Sequence, residues 1–84
     1  MSSEKEKKHL VAIYSTPTCS FCNTAKDYFK KNGVKYREYD VSVNERKRKE
    51  MKAISGQTGV PVITIDNKLI IGYNEEEIKT ALGL

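Results

Sequence analysis

Leu10-Val11-Ala12-Ile13-Tyr14 is a nearly continuous apolar run in a chain of 84 residues. A strand with one wet face alternates apolar and polar residues, whereas an unbroken run suits a central strand covered on both faces. A chain this short makes one domain with a modest core, so a compact layered fold around that strand is expected. Ser15-Thr16-Pro17-Thr18 breaks the run and supplies turn and cap residues. A helix is predicted from Cys19 to Asn32, with Phe21, Ala25, Tyr28 and Phe29 at i, i+4, i+7 and i+8 as its apolar stripe. Lys30 and Lys31 suit its negative end, and Gly33 supplies a left-handed stop.

Val34 to Val41 alternates and predicts a second strand with one open face. A helical link makes it parallel to the first, through a right-handed crossover. Asn44 to Ser55 predicts a charged helix with a thin buried stripe of Val43, Met51 and Ile54, closed by Gly56. Gly59-Val60-Pro61 then leads into a third strand over Val62–Ile65. Asp66-Asn67-Lys68 turns it tightly into Leu69-Ile70-Ile71, forming a hairpin. Asn74 caps a last helix, with Ile78, Ala81 and Leu82 inward and Glu75 to Glu77 at its positive end. Residues 1–9 read as a flexible tail and residues 10–84 as a single domain.

Net charge is +4, concentrated in Lys5 to Lys8 and in Arg46-Lys47-Arg48-Lys49 with Lys52. The second run lacks interleaved aromatics and is flanked by Glu45 and Glu50. It reads as a solvated helix face, so no nucleic-acid partner is expected. No apolar stretch approaches the roughly 18 residues of a membrane span. The start, Met1-Ser2-Ser3-Glu4-Lys5, has no apolar leader. A monomer in a reducing cytoplasm is the expected setting, and there a cysteine pair is more often catalytic or metal-binding than structural.

Cys19 and Cys22, the only cysteines, stand two residues apart at the predicted start of the first helix. A bridge closing so small a loop contributes only about 2 kcal/mol in the chain-entropy model, which suits a reagent better than a brace. Thiols at this spacing close and reopen, the chemistry of electron-pair transfer to disulfides. At a helix start, unsatisfied N–H groups and the dipole favour a thiolate on Cys19. Cys19 is therefore the expected attacking thiolate, and Cys22, one turn further in, the resolving thiol. His9 has too few partners for a four-ligand structural zinc site, and no metal is expected.

Cys19-Ser20-Phe21-Cys22, Gly59-Val60-Pro61 and Gly72-Tyr73-Asn74, in that order on this strand pattern, resemble the glutaredoxin family. The likeness is nearest to small bacterial redoxins of the type that reduce ribonucleotide reductase, and it spans residues 10 to 84. It implies an α/β thioredoxin-type fold, a four-stranded mixed sheet in order 2-1-3-4 flanked by three helices, with strand three antiparallel to strand one. It also implies a dithiol–disulfide oxidoreductase acting on protein or glutathione-mixed disulfides, reduced by glutathione or by a flavin-dependent thioredoxin reductase. A metal or iron–sulfur cluster carrier using the same thiols is the alternative.

The resemblance assigns further residues. Pro17 precedes the thiols, and Ser20 and Phe21 occupy the dipeptide that tunes them, often Pro-Tyr in the family. Phe21 is either part of the apolar rim or a core residue of the helix stripe. Pro61 is sterically ordinary at a strand start, where trans is the commoner form, but matches the family's cis-proline. A cis bond there turns the Val60 backbone toward the thiol, to pair with a bound peptide. Gly59 either clears that approach or simply forms a turn. Tyr73, Asn74 and Glu75 match the position that holds the γ-glutamyl end of glutathione, though a capped helix explains them equally. Two family cations that hold the glycine carboxylate are replaced, one by Thr16 and the other by Gln57 or Thr58. Lys26 is either a substitute cation or, as read here, a solvated helix lysine.

Overall fold

The computed structural model describes residues 9–84, so the tail expected over residues 1–9 lies, His9 apart, outside the described residues. The elements are β1 (Val11–Ser15), α1 (Ser20–Lys31), β2 (Arg37–Asp40), α2 (Glu45–Ser55), β3 (Val62–Ile65), β4 (Lys68–Ile71) and α3 (Glu75–Leu82). They build one four-stranded sheet in order β2-β1-β3-β4. β1 is parallel to β2 and antiparallel to β3, and β4 closes the hairpin beside β3. This is the topology that the resemblance implies.

β1 is central, as its unbroken apolar run requires, but it is shifted by one residue. Leu10 is 82% exposed and stands outside it, while Ser15, expected in the turn, is its last residue and is buried. Alternation along β1 and β3 sends side chains to two layers. Val11, Ile13, Ile63 and Ile65 meet Ala25 and Phe29 of α1 and Ile78 and Leu82 of α3. Tyr14 and Val62 turn the other way and meet Met51 of α2 and Val41.

Two helix stripes differ from expectation. On α1 the buried residues are Cys22, Ala25 and Phe29, spaced i, i+3, i+7, while Phe21 is 64% exposed. On α2 only Met51 is buried, Ile54 is exposed, and Val43 lies before the helix and is exposed too. The charged face of α2 is solvated as read, although Lys47 is shared between Glu50 at 3.0 Å and the face of Tyr39 at 4.2 Å.

The ends of the elements follow local chemistry. Asn44 and Asn74 cap α2 and α3 by accepting from the N–H groups of Lys47 and Glu77. Gly33 ends α1 at φ +68°, a backbone state that costs glycine nothing. The β3–β4 turn places Asp66 and Asn67 at φ 51° and 74°, the left-handed pair that a two-residue hairpin of matching twist demands. Asp66 also accepts from the backbone N–H of Leu10 at 2.8 Å and pairs with His9, tying the entry of β1 to that turn. Among the described residues no helix is long and apolar enough to cross a membrane.

Candidate active site

The register brings the expected site residues to one end of the sheet. Tyr14, near the end of β1, lies opposite Val62, which opens β3, and Val62 lies opposite Ile71, which ends β4. The segments leaving β1 and β4 and the one entering β3 therefore converge there. Gly72 donates its N–H to the Pro61 carbonyl at 2.8 Å and joins two of them directly. Cys19, Val60 and Tyr73 all pack against the same buried cluster.

Cys19 is the N-cap of α1, with extended backbone angles, and its Sγ accepts the Cys22 N–H at 3.1 Å. A negative charge on that sulfur would meet a backbone donor and the positive end of a twelve-residue helix. Its own N–H is bonded to the Thr16 carbonyl across the turn containing Pro17, which is exposed. Cys19 is half-buried and Cys22 fully buried, and both are free thiols. Burial, first, and then the Cys19 contact push the Cys22 thiol up to about 12, while the Thr16 backbone and Lys26 act in the opposite direction.

The remaining expected residues divide. Phe21 is exposed, which removes it from the core. The Val60–Pro61 peptide is cis, Pro61 is buried and Val60 is half-buried. Gly59 has no left-handed backbone angle, and a Cβ there would meet only the Gln57 side-chain nitrogen at 3.4 Å. Neither turn geometry nor packing thus requires glycine at this position. Tyr73 is half-buried, its ring edge-on to Tyr28 with centroids 6.5 Å apart, and burial raises its hydroxyl pKa. Asn74 is occupied in capping α3, and Glu75 to Glu77 fill that helix's first turn with negative charge.

Glu38, not singled out from sequence, gathers Lys26 and Ser15 beside α1. Lys26 is no solvated lysine: its Nζ lies 2.7 Å from Glu38 Oε2 of β2, with 18% of its side chain exposed. The Ser15 hydroxyl donates to the same Glu38 oxygen at 3.1 Å. The bond to Glu38 raises the Lys26 pKa, and Lys26 in turn holds the Glu38 carboxyl below its ordinary range. Lys26 follows Cys22 by four residues, which was the available signal. Its partner across the sheet had none. Among the described residues no third His, Cys, Asp or Glu joins the two thiols into a metal-binding group.

The buried thiol gives an alkaline signature. Cys22 and Tyr14 both have folded pKa values of about 12, against ordinary values of 9.0 and 10.0, each mainly through burial. Both stabilise the fold fully below their unfolded pKa, and that contribution is lost as pH rises through the folded value. The urea midpoint of the reduced protein should therefore hold steady from pH 7 to about 8.5 and fall between about 9 and 12. Tyr14→Phe should shrink the fall, and a midpoint unchanged to pH 11 would contradict both burials.

The glutaredoxin family model matches residues 11–70. A glutaredoxin-like 8.6 kDa protein in a rubredoxin operon of Clostridium pasteurianum is 42% identical over 69 residues, covering 82% of this chain and 92% of that one. Glutaredoxin 3 of Escherichia coli is 40% identical over 65 residues, covering 77% of this chain and 78% of its own. The crystal structure of a glutaredoxin from Archaeoglobus fulgidus superposes with a TM-score of 0.80 over 98% of this chain and 95% of that one, at 24% identity, a likeness of fold. With paired thiols at the head of α1 and this sheet order, the chain belongs to the glutaredoxin family of thiol–disulfide oxidoreductases.

Proposed function

We propose that the chain reduces disulfides of partner proteins, and glutathione-mixed disulfides, by attack from Cys19 and resolution by Cys22. The observation that carries this reading is the pairing of an accessible sulfur, hydrogen-bonded at a helix N-terminus, with a second thiol buried directly behind it. The substrate disulfide exchanges first with Cys19, releasing one thiol and leaving a mixed disulfide. Cys22 then attacks Cys19 Sγ, releasing the second thiol and closing the Cys19–Cys22 bridge.

Val60 supports a peptide-binding role. It directly precedes β3, and among the described residues its backbone makes no hydrogen bond, so it can pair with an extended substrate segment. Gly59, free of any internal need for glycine, and the exposed Phe21 and Pro17 flank that approach. Tyr73, Asn74 and Glu75 would border the far side, where glutathione binds in the resemblance stated above.

Protein disulfides are the favoured substrates and a flavin-dependent thioredoxin reductase the favoured source of electrons, with glutathione a weaker reductant. The cation positions for a glycine carboxylate carry Thr16, Gln57 and Thr58, and Lys26 is committed to Glu38. Each charge-assisted bond lost costs about 1.5–3 kcal/mol of binding. The triple acid at the head of α3 also repels a carboxylate. Ribonucleotide reductase is a candidate target, and the expected setting is a cytoplasmic monomer. The test is reduction of a model protein disulfide by NADPH with thioredoxin reductase, run beside glutathione with its reductase. Faster turnover in the first arm supports the reading. Faster turnover in the second reverses the reductant, and none in either refutes the function.

A further inference from the structure

Cys22 carries the chemical difficulty of the second step. Its thiol must lose a proton before it attacks, in surroundings that disfavour an anion. In that step the Cys22 S–H bond breaks, the thiolate forms a bond to Cys19 Sγ, and the bond from Cys19 to the substrate sulfur breaks. The departing substrate thiolate takes up the proton. The two cysteines are thereby oxidised to one disulfide and the substrate is fully reduced, so no further reagent is needed.

The charged groups around this thiol lie on one side of the sheet. Cys19 sits before it on α1, and Lys26 one turn after it. Glu38 reaches in from β2 and accepts from both Lys26 and Ser15, while Tyr36 borders Lys26 and Asp40 borders Glu38. Ser15 is the only buried polar side chain among the described residues, and its hydroxyl goes to this pair. The cation is the inner partner, with 18% of its side chain exposed against 41% for Glu38. A lone surface ion pair contributes little to stability, which is a weak reason for anchoring one this closely.

We propose that Lys26, held by Glu38, which Ser15 in turn anchors, is the positioning residue of the resolving step, its fixed ammonium set one helical turn after Cys22 to favour the thiolate that releases product. The proposal rests on Cys22 being the resolving thiol. Lys26 stays protonated throughout, because Glu38 raises its pKa, and acts through charge alone. Of the charges around Cys22, Lys26 favours its anion and Cys19 opposes it.

The experiment mixes reduced protein with 5,5′-dithiobis(2-nitrobenzoate) and follows thionitrobenzoate release in two phases across pH. The first equivalent reports attack by Cys19 and the second reports closure by Cys22. Lys26→Met should slow the second phase about tenfold at neutral pH and raise its pH midpoint by about one unit, with the first phase within about twofold of wild type. Lys26→Arg, which keeps the charge, should restore the second phase to within about threefold. Should Lys26→Met fail to fold, Lys26→Gln decides, since it removes the charge while leaving Glu38 a polar partner, and should slow the second phase in the same direction. A merely structural lysine would change the melting temperature but not the pH midpoint. An unshifted midpoint in the folded variant overturns the proposal. Release of only one equivalent by wild type would instead overturn Cys22 as the resolving thiol.

Discussion

Cys19→Ser should reduce disulfide turnover to the level of buffer alone, whereas Cys22→Ser should leave a partner protein covalently attached to residue 19. The asymmetry follows from the geometry at the head of α1. Only Cys19 combines access from solvent with a backbone donor on its sulfur and the positive end of the helix behind it. A hydroxyl there has no thiolate to offer, and the thiolate is the nucleophile. Cys22 is fully buried with its thiol pushed up to about 12, so in the proposed division of roles it acts only on the sulfur beside it. Its removal therefore spares capture and stops release. Non-reducing gels and intact mass of Cys22→Ser incubated with an oxidised model protein check this. Equal residual activity in the two variants would contradict the assignment of roles.

Phe29→Ala should be the most destabilising single substitution of the core, at about 3–5 kcal/mol. Phe29 is completely buried on the α1 stripe and lies against Tyr36, with centroids 5.4 Å apart, and Tyr28, at 6.5 Å. Stabilities of small domains are about 5–15 kcal/mol, so this loss takes a large share. For a domain of this size, thermal melts should show a drop of at least about 12 °C. Phe21→Ala, on the same helix but 64% exposed, should stay within about 0.5 kcal/mol of wild type. Comparable losses in the two variants would mean that the α1 stripe is misplaced.

That contrast marks the limit of what the sequence discloses. β1 was legible because an unbroken apolar run has few alternatives, and the thiol pair because so short a spacing at a helix start is a poor structural brace. The helix cap at Asn74 was legible too, since capping is local. The α1 stripe was misjudged because counting aromatic residues favours Phe21, whereas the inward residue is Cys22, a small hydrophobe one position later. Val43 and Ile54 failed for a different reason. The layer beneath α2 is completed by Tyr14, Val41 and Val62, and needs only Met51 from the helix. Ser15 and Lys26 were read as a turn residue and a solvated lysine because Glu38, which holds both, comes from another strand. Pairing across a sheet leaves no mark on a single sequence.

Direct alkylation is the sharpest test of the central claim, that one sulfur is presented for attack and the other held behind it. Reduced protein is pulsed with limiting iodoacetamide at neutral pH and the modified peptide is located by mass spectrometry. A single adduct on Cys19, with Cys22 unlabelled until the chain is unfolded, is the predicted result. Labelling of Cys22 first, or of both residues at equal rates in the folded protein, would contradict it.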